Sequence, residues 1–213
     1  EKPGETAEET QLRGMLASAL ARAGDPQAIA EGKARFARYL DDPSSVPPSM
    51  IDFVTGTAGR YADKATYEAL AARAAGAATS EERNRFGRAL SAVQDPQLAA
   101  RTLESLLSPQ TPPDLVPFIL GGVAGEHLDQ TWDFAIANRA ALLDNMEALG
   151  RHSLFASIVG SSSNPAHAAM MEAYMRTNFG PDGVVEAERV ASGVRIRAAQ
   201  KARLLPQVRA ALQ

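Results

Sequence analysis

The stretch Leu16-Ala-Ser-Ala-Leu-Ala-Arg-Ala-Gly-Asp25-Pro26 returns twice along the chain, as Phe86-Gly-Arg-Ala-Leu-Ser-Ala-Val-Gln-Asp95-Pro96 and as Phe155-Ala-Ser-Ile-Val-Gly-Ser-Ser-Ser-Asn164-Pro165, at offsets of 70 and 69 residues. Between these marks Pro47-Pro48-Ser-Met-Ile-Asp-Phe53-Val-Thr-Gly56 pairs with Pro112-Pro113-Asp-Leu-Val-Pro-Phe118-Ile-Leu-Gly121. Thr66-Tyr67-Glu68 pairs with Thr131-Trp132-Asp133, and Pro181 stands 69 residues after Pro112. Self-similarity at a fixed period means stacked supersecondary units that bury a continuous core only together. A unit of about 70 residues holds four short helices, so the basic element is a hairpin of about 35 residues.

The residues between the marks are helical. Leu12, Met15, Leu16, Ala19, Leu20 and Ala23 fall at i, i+3, i+4, i+7, i+8 and i+11, one face of a helix. Gly24 stops that helix. Asp25-Pro26 starts the next, with Asp as N-cap and Pro where a missing N–H costs nothing. Phe86, Ala89, Leu90 and Val93 repeat the spacing, as do Leu98, Thr102, Leu103 and Leu106, and Thr79 with Glu82 has the form of a capping box. Alanine, the best helix former, supplies 41 of 213 residues. No sustained period-2 run reads as a strand; Val194-Arg195-Ile196-Arg197 alternates inside a helical context.

Helices are expected at 10–23, 26–40, 48–59, 63–75, 80–93, 96–107, 113–124, 130–144, 147–159, 165–178, 183–197 and 200–212. Twelve helices in six hairpins make an all-α, right-handed α-α superhelix, a HEAT- or armadillo-like solenoid. The competing reading is a plain α-bundle in which Asp-Pro and Pro-Pro are ordinary helix starts. Several anchors keep register over two copies, which favours the solenoid. Residues 1–9 then read as a disordered or linker end, and 10–213 as one helical-repeat domain with units at about 25–94, 95–163 and 164–213.

Several classes of function are disfavoured. Apolar residues make up 45% and charged residues 22%, with a net charge of −3, so neither disorder nor a strongly basic nucleic-acid binder is indicated. Cysteine is absent, which removes disulfides, thiol nucleophiles and Cys-based zinc sites. Glu1–Thr10 has neither the basic nor the apolar region of a signal peptide and reads as a processed end. The uncharged stretch Ser153–Met171 is broken by Ser161-Ser-Ser-Asn164-Pro165 and is not a membrane span.

The chemistry-bearing residues are sparse. His127, His152 and His167 show no i, i+4 pair and no His-Glu-x-x-His. Glu126-His127 is an acid–base pair in form, but a solvated loop pair is the better reading. Gly160-Ser-Ser-Ser-Asn164 lacks a nucleophile elbow and reads as a linker ending in an Asn N-cap. Gly121-Gly122-Val-Ala-Gly125 has no preceding strand or following Gly-Lys, so it is a helix end rather than a phosphate cradle. The Met170, Met171, Tyr174, Met175 group is core at helical spacing. Between Arg176 and Gln213 seven basic residues face three acidic ones. That basic end either binds carboxylates, phosphates or an acidic neighbour, or is the solvated cap of a solenoid.

The order of short motifs resembles one family. It runs Leu12-Arg13, Gly24-Asp25, Ala34-x-Phe36, Val46-Pro47, Tyr67-Glu68, Thr79-Ser-Glu-Glu-Arg83, Leu90, Asp95-Pro96 and Arg101-Thr-Leu103. Leu106-Leu-Ser108, Val123-Ala-Gly125 and Trp132-Asp-Phe134-x-x-x-Asn138 complete it. From about residue 12 to 212 the chain resembles the C-terminal helical domain of the gluzincin zinc aminopeptidases, the puromycin-sensitive and aminopeptidase N type. The resemblance implies a bowl of helical hairpins that packs over an upstream catalytic domain of the same polypeptide. That bowl closes a chamber around the active site and limits the access of peptide substrates. It also implies that zinc sits in the catalytic domain and that no cofactor sits in this chain. The family's exopeptidase motif and zinc-binding motif are not present in this sequence, so no catalytic or metal residue carries over and the chain is expected to be inactive alone. The loop Glu126-His127-Leu128 lacks the basic residue common before the Trp, and Arg139 follows Asn138 where a Trp is common. Trp132 and Asn138 are read as packing and hairpin-fixing residues.

Two expectations follow. In the first, Arg195, Arg197 and Lys201 contact the carboxylate of a peptide substrate. In the alternative, the chain is a stand-alone solenoid scaffold whose concave face binds a protein or peptide partner. Neither nucleic acid nor a membrane is an expected partner.

Overall fold

A computed structural model describes residues 4–144, 146 and 148–211; of the side chains of residues 148, 149 and 152 nothing is said. The expected helix starts and ends at 147 and 212 lie outside the described residues. The chain is all-α. Among the described residues twelve α-helices follow one another: α1 (Ala7–Arg22), α2 (Pro26–Asp41), α3 (Ile51–Arg60), α4 (Lys64–Ala75), α5 (Ser80–Ser91), α6 (Pro96–Ser105), α7 (Leu115–Ala124), α8 (Leu128–Ala137), α9 (Arg139–Asp144), α10 (Ala148–Val159), α11 (Pro165–Asn178) and α12 (Pro181–Ala211). Single 3-10 turns at Pro43–Ser45 and Pro48–Met50 lead into α3.

The repeat marks do the same job in all three copies. The carboxylate of Asp25 accepts from the N–H of Ala28, that of Asp95 from Gln97 and Leu98, and the side-chain oxygen of Asn164 from Ala166. Each is an N-cap with proline at the first helical position. Gly24 turns the chain at φ +90, a conformation that suits glycine.

Three elements depart from expectation. Residues 7–9 belong to α1, because Thr6 and Glu9 form a full capping box. The Thr6 N–H donates to Glu9 Oε2 at 2.8 Å and the Glu9 N–H to Thr6 Oγ1 at 3.2 Å. The span expected as one helix over 130–144 is two. Asn138 ends α8, its Nδ2 donating to the Phe134 carbonyl, and α9 begins at the next residue. The spans expected at 183–197 and 200–212 are one helix, α12, because Ala198-Ala199-Gln200 contains no breaker.

The chain divides into two compact units, Glu1–Thr102 and Leu103–Gln213. In the first unit α1, α3 and α5 pack in succession, with α2 and α4 set against them. In the second, α7, α10 and α12 pack in succession, with α8 and α11 against them. Within each unit most helices pack against a chain neighbour and against a helix two or three further along.

The first core gathers Phe36, Tyr39, Met50, Phe53, Val54, Ala58, Leu70, Phe86 and Ala89. The second holds the buried Leu154, Phe155, Ile158, Met171 and Met175. Phe155 lies 6.1 Å from the Trp132 ring and 4.9 Å from that of Tyr174. Burying each such side chain contributes about 1.5–3 kcal/mol. Phe53 and its repeat partner Phe118 differ: the first is buried, whereas the second is 38% exposed.

The apolar face of α1 is not part of either core. Leu12, Met15, Leu16 and Leu20 are 53%, 63%, 55% and 52% exposed. The helix is seated on its opposite side, through the buried Gly14 and Ala21. Gly14 is required there, since a Cβ would lie 2.3 Å from the Ser49 carbonyl oxygen.

Candidate functional site

The three basic residues singled out in the sequence lie along α12. Arg195 forms a bidentate pair with Glu172 of α11, at 3.0 Å from Nη1 to Oε1 and 2.6 Å from Nη2 to Oε2. The hydrogen bonds and charge of that carboxylate raise the Arg195 pKa further above its ordinary value. Arg197 points the other way. Its Nε donates to the Ser162 carbonyl at 2.9 Å and its Nη2 to the Gly160 carbonyl. These are carbonyls just past the end of α10, where a helix leaves acceptors without intrahelical partners and where cations are favoured. Lys201 stands on the last turns of α12, where residues 199–211 are exposed on every side. The structure thus brings Arg195 and Arg197 onto partners within the second unit and leaves Lys201 in solvent.

Clefts indent both units, three of them lined by charged side chains. One of about 260 Å³ in the second unit is lined by Ser157, Gly160, Glu186, Arg189 and Arg197. Its charges are satisfied internally: the Arg189 Nε and Nη2 donate to Glu186 at 2.9 and 2.7 Å, which raises the Arg189 pKa. A second, of about 330 Å³, is lined by Arg139, Arg151, Phe179 and Asp182. The Arg139 guanidinium lies 5.3 Å from the Phe179 ring centroid and donates to the Asn178 carbonyl. Burial pushes the neighbouring Tyr174 hydroxyl up, with the Arg139 charge opposing, so the phenol is neutral. The third cleft, about 430 Å³ in the first unit, is lined by Lys64, Glu68, Asp95 and Arg101. Arg101 pairs with Glu68 at 2.8 Å and lies over the Tyr67 ring at 4.8 Å; the Arg101 hydrogen bond holds the Glu68 carboxyl below its usual range.

The histidines separate. His127 occupies the N-cap position of α8, and the side chain of His152 lies outside the described residues. His167, in the first turn of α11, joins a set that sequence reading did not find. Its Nδ1 is 2.9 Å from Ser162 Oγ and its Nε2 is 3.4 Å from Asp129 Oδ1. The residue types are those of a nucleophile–base–carboxylate set, but Ser162 also accepts from the Asn164 N–H at 3.0 Å and Asp129 is 83% exposed. None of the three residues lines the clefts described above. This is a hydrogen-bonded corner between α8 and the α10–α11 turn, and only folding brings Asp129 to it.

Among the described residues no three or more His, Asp or Glu side chains gather to hold a metal ion, so the donor set does not fit zinc. No helix of the described residues is long and apolar enough to cross a membrane. Among the described residues the chain offers basic side chains on different sides of α12 and internally paired clefts. The family model of the ERAP1-like C-terminal domain matches residues 1–191.

Proposed function

Because the chain belongs to the family of ERAP1-like C-terminal domains, we propose that it is the non-catalytic C-terminal domain of a zinc aminopeptidase, closing over the active site as a bowl and shaping the access of peptides. The family match over residues 1–191 carries this reading. Consecutive helical layers and clefts without reactive constellations agree with it. Zinc and the bond-breaking chemistry belong to the catalytic domain of the same polypeptide, and this chain supplies surface.

Within that reading the basic side chains of α12 receive the far end of the peptide. Lys201 is free in solvent to pair with a substrate carboxylate, Arg195 does so by exchanging Glu172, and Arg197 acts by holding the α10 end in place. A charge-assisted hydrogen bond is worth about 1.5–3 kcal/mol. In the full polypeptide, Lys201→Ala with Arg195→Ala is expected to raise KM for long peptides roughly tenfold or more while leaving an aminoacyl-p-nitroanilide unchanged. Equal effects on both substrates remove the assignment. The isolated chain is expected to hydrolyse neither; zinc-dependent turnover by it alone overturns the non-catalytic reading.

A further inference from the structure

The clefts differ in how their arginines are answered. Arg101 has Glu68, and Arg189 has Glu186. Arg197 spans two carbonyls beyond α10. The cleft of about 330 Å³ is different. It brings Arg139, at the start of α9, and Arg151, on α10, to the first turn of α12. Neither guanidinium meets a carboxylate among the described residues. Each has a backbone carbonyl instead, Asn178 at 3.3 Å for Arg139 and Met146 at 3.1 Å for Arg151. Asp182 lines the same cleft without pairing with either. Arg139 is half-buried, and its Nε is buried with no acceptor. The Tyr174 hydroxyl beside it is also buried without a partner and lies close enough to feel the Arg139 charge. A cation taken out of water costs free energy unless acceptors replace the water. Five guanidinium donors answered by one long hydrogen bond are an incomplete set.

We propose that this cleft binds a small monocarboxylate with an apolar body, the carboxylate being held by the guanidiniums of Arg139 and Arg151. The planar fork of an arginine matches a carboxylate, and charge-assisted hydrogen bonds of this kind are the strong ones. The first turn of α12 adds its partial positive charge. Leu143, Phe179 and Pro181 give the rest of the ligand an apolar wall. Asp182 sets the charge that is accepted: a monoanion is balanced by the two arginines, whereas a phosphate dianion meets like-charge repulsion. The volume stands at the low end of the roughly 300–1,000 Å³ of small-molecule pockets, which suits a free acid rather than a peptide. Lys201 lies about 28 Å farther along α12 than Asp182, so this cleft is separate from the surface proposed for peptides. The inference rests on the unanswered arginines and not on the peptidase reading.

Binding is measured on the 213-residue chain by isothermal titration calorimetry. The probes are 3-phenylpropionate, its neutral amide and inorganic phosphate. The acid is expected to bind at least tenfold more tightly than either of the others. Arg139→Gln and Arg151→Gln are each expected to weaken the acid at least tenfold and to leave the amide unchanged. Arg139 also packs on the Phe179 ring, so its substitution removes a packing contact as well. Arg151 is exposed, and Arg151→Gln therefore carries the test by itself. Asp182→Asn is expected to strengthen the acid severalfold and to admit phosphate. Equal binding of acid and amide overturns the proposal, because the cleft then takes apolar matter without reading charge. So do tighter binding of phosphate than of the acid, an affinity for the acid that Arg151→Gln leaves unchanged, and weakening of the acid by Asp182→Asn. Absence of saturable binding up to about 10 mM acid overturns it as well. A failed peptidase reading leaves all of these affinities unaffected.

Discussion

Arg73, Arg139 and Arg197 each reach from one helix to carbonyls at the end of another. Arg73 of α4 donates to Leu40 in the last turn of α2, Arg139 of α9 to Asn178 at the end of α11, and Arg197 to Gly160 and Ser162 beyond α10. The Tyr61 hydroxyl does the same for Ala21 in α1, at 2.7 Å. A helix end carries acceptors with no partner in the helix, and short helices have many ends. A planar fork with five donors serves two such carbonyls at once, which an ammonium does less well. This gives a use for 18 arginines against 4 lysines. Arg73→Ala is expected to cost roughly 1–2 kcal/mol in urea unfolding, given the half-buried position, and Arg73→Lys to recover it only in part. The arginine excess is visible in the sequence, but its role is not, because the partners are backbone atoms whose positions no residue name encodes. For the same reason Arg195 and Arg197 read alike as charges two residues apart, and folding gives one a carboxylate and the other a helix end.

At the scale of the helix, closeness is set by small residues. Gly59 of α3 faces α5 so tightly that a Cβ would lie 2.1 Å from the Ala89 carbonyl oxygen, whereas Gly56, one turn earlier, has nothing within 4 Å. Alanine is ordinarily the better helix residue by about 1 kcal/mol. Gly56→Ala is therefore expected to stabilise by about 0.5–1 kcal/mol, and Gly59→Ala to destabilise by about 1–3 kcal/mol through overpacking against backbone. Opposite shifts of the urea midpoint check both; shifts of the same sign refute the close approach. Most helices were legible from caps and periodicity, because Asp25, Asp95 and Asn164 act locally. The splitting of 130–144 at Asn138 and the fusion of 183–212 into α12 depend on tertiary surroundings that override weak local signals. The stripe on α1 was legible as a face, but periodicity does not say what lies against it.

At the scale of the whole chain, packing thins toward the end. Val194 is the last buried residue of α12, and the helix continues through exposed turns that include Pro206, which has no N–H for the carbonyl four residues back. Exposed backbone hydrogen bonds with few apolar contacts open locally at little free-energy cost. Brief trypsin treatment of the isolated chain is expected to cut first after Lys201, Arg203 or Arg209, well before Arg35 or Arg73; early cuts within α2 or α4 contradict this gradient. The family was readable because its motifs are spread along the chain in order, and the match to residues 1–191 bears that out. The candidate contacts were less readable, since charge alone does not distinguish a guanidinium already engaged from an ammonium in solvent.

The packing of helices on others close by in sequence has a kinetic side. Every loop that must close within a unit is short, so the entropy lost before contacts form is small and contact order is low. A chain of this kind assembles in the order in which it leaves the ribosome. α5 is made only after α3 and α4, the helices that bury Phe86, are available to receive it, so this wiring also serves as a schedule for folding.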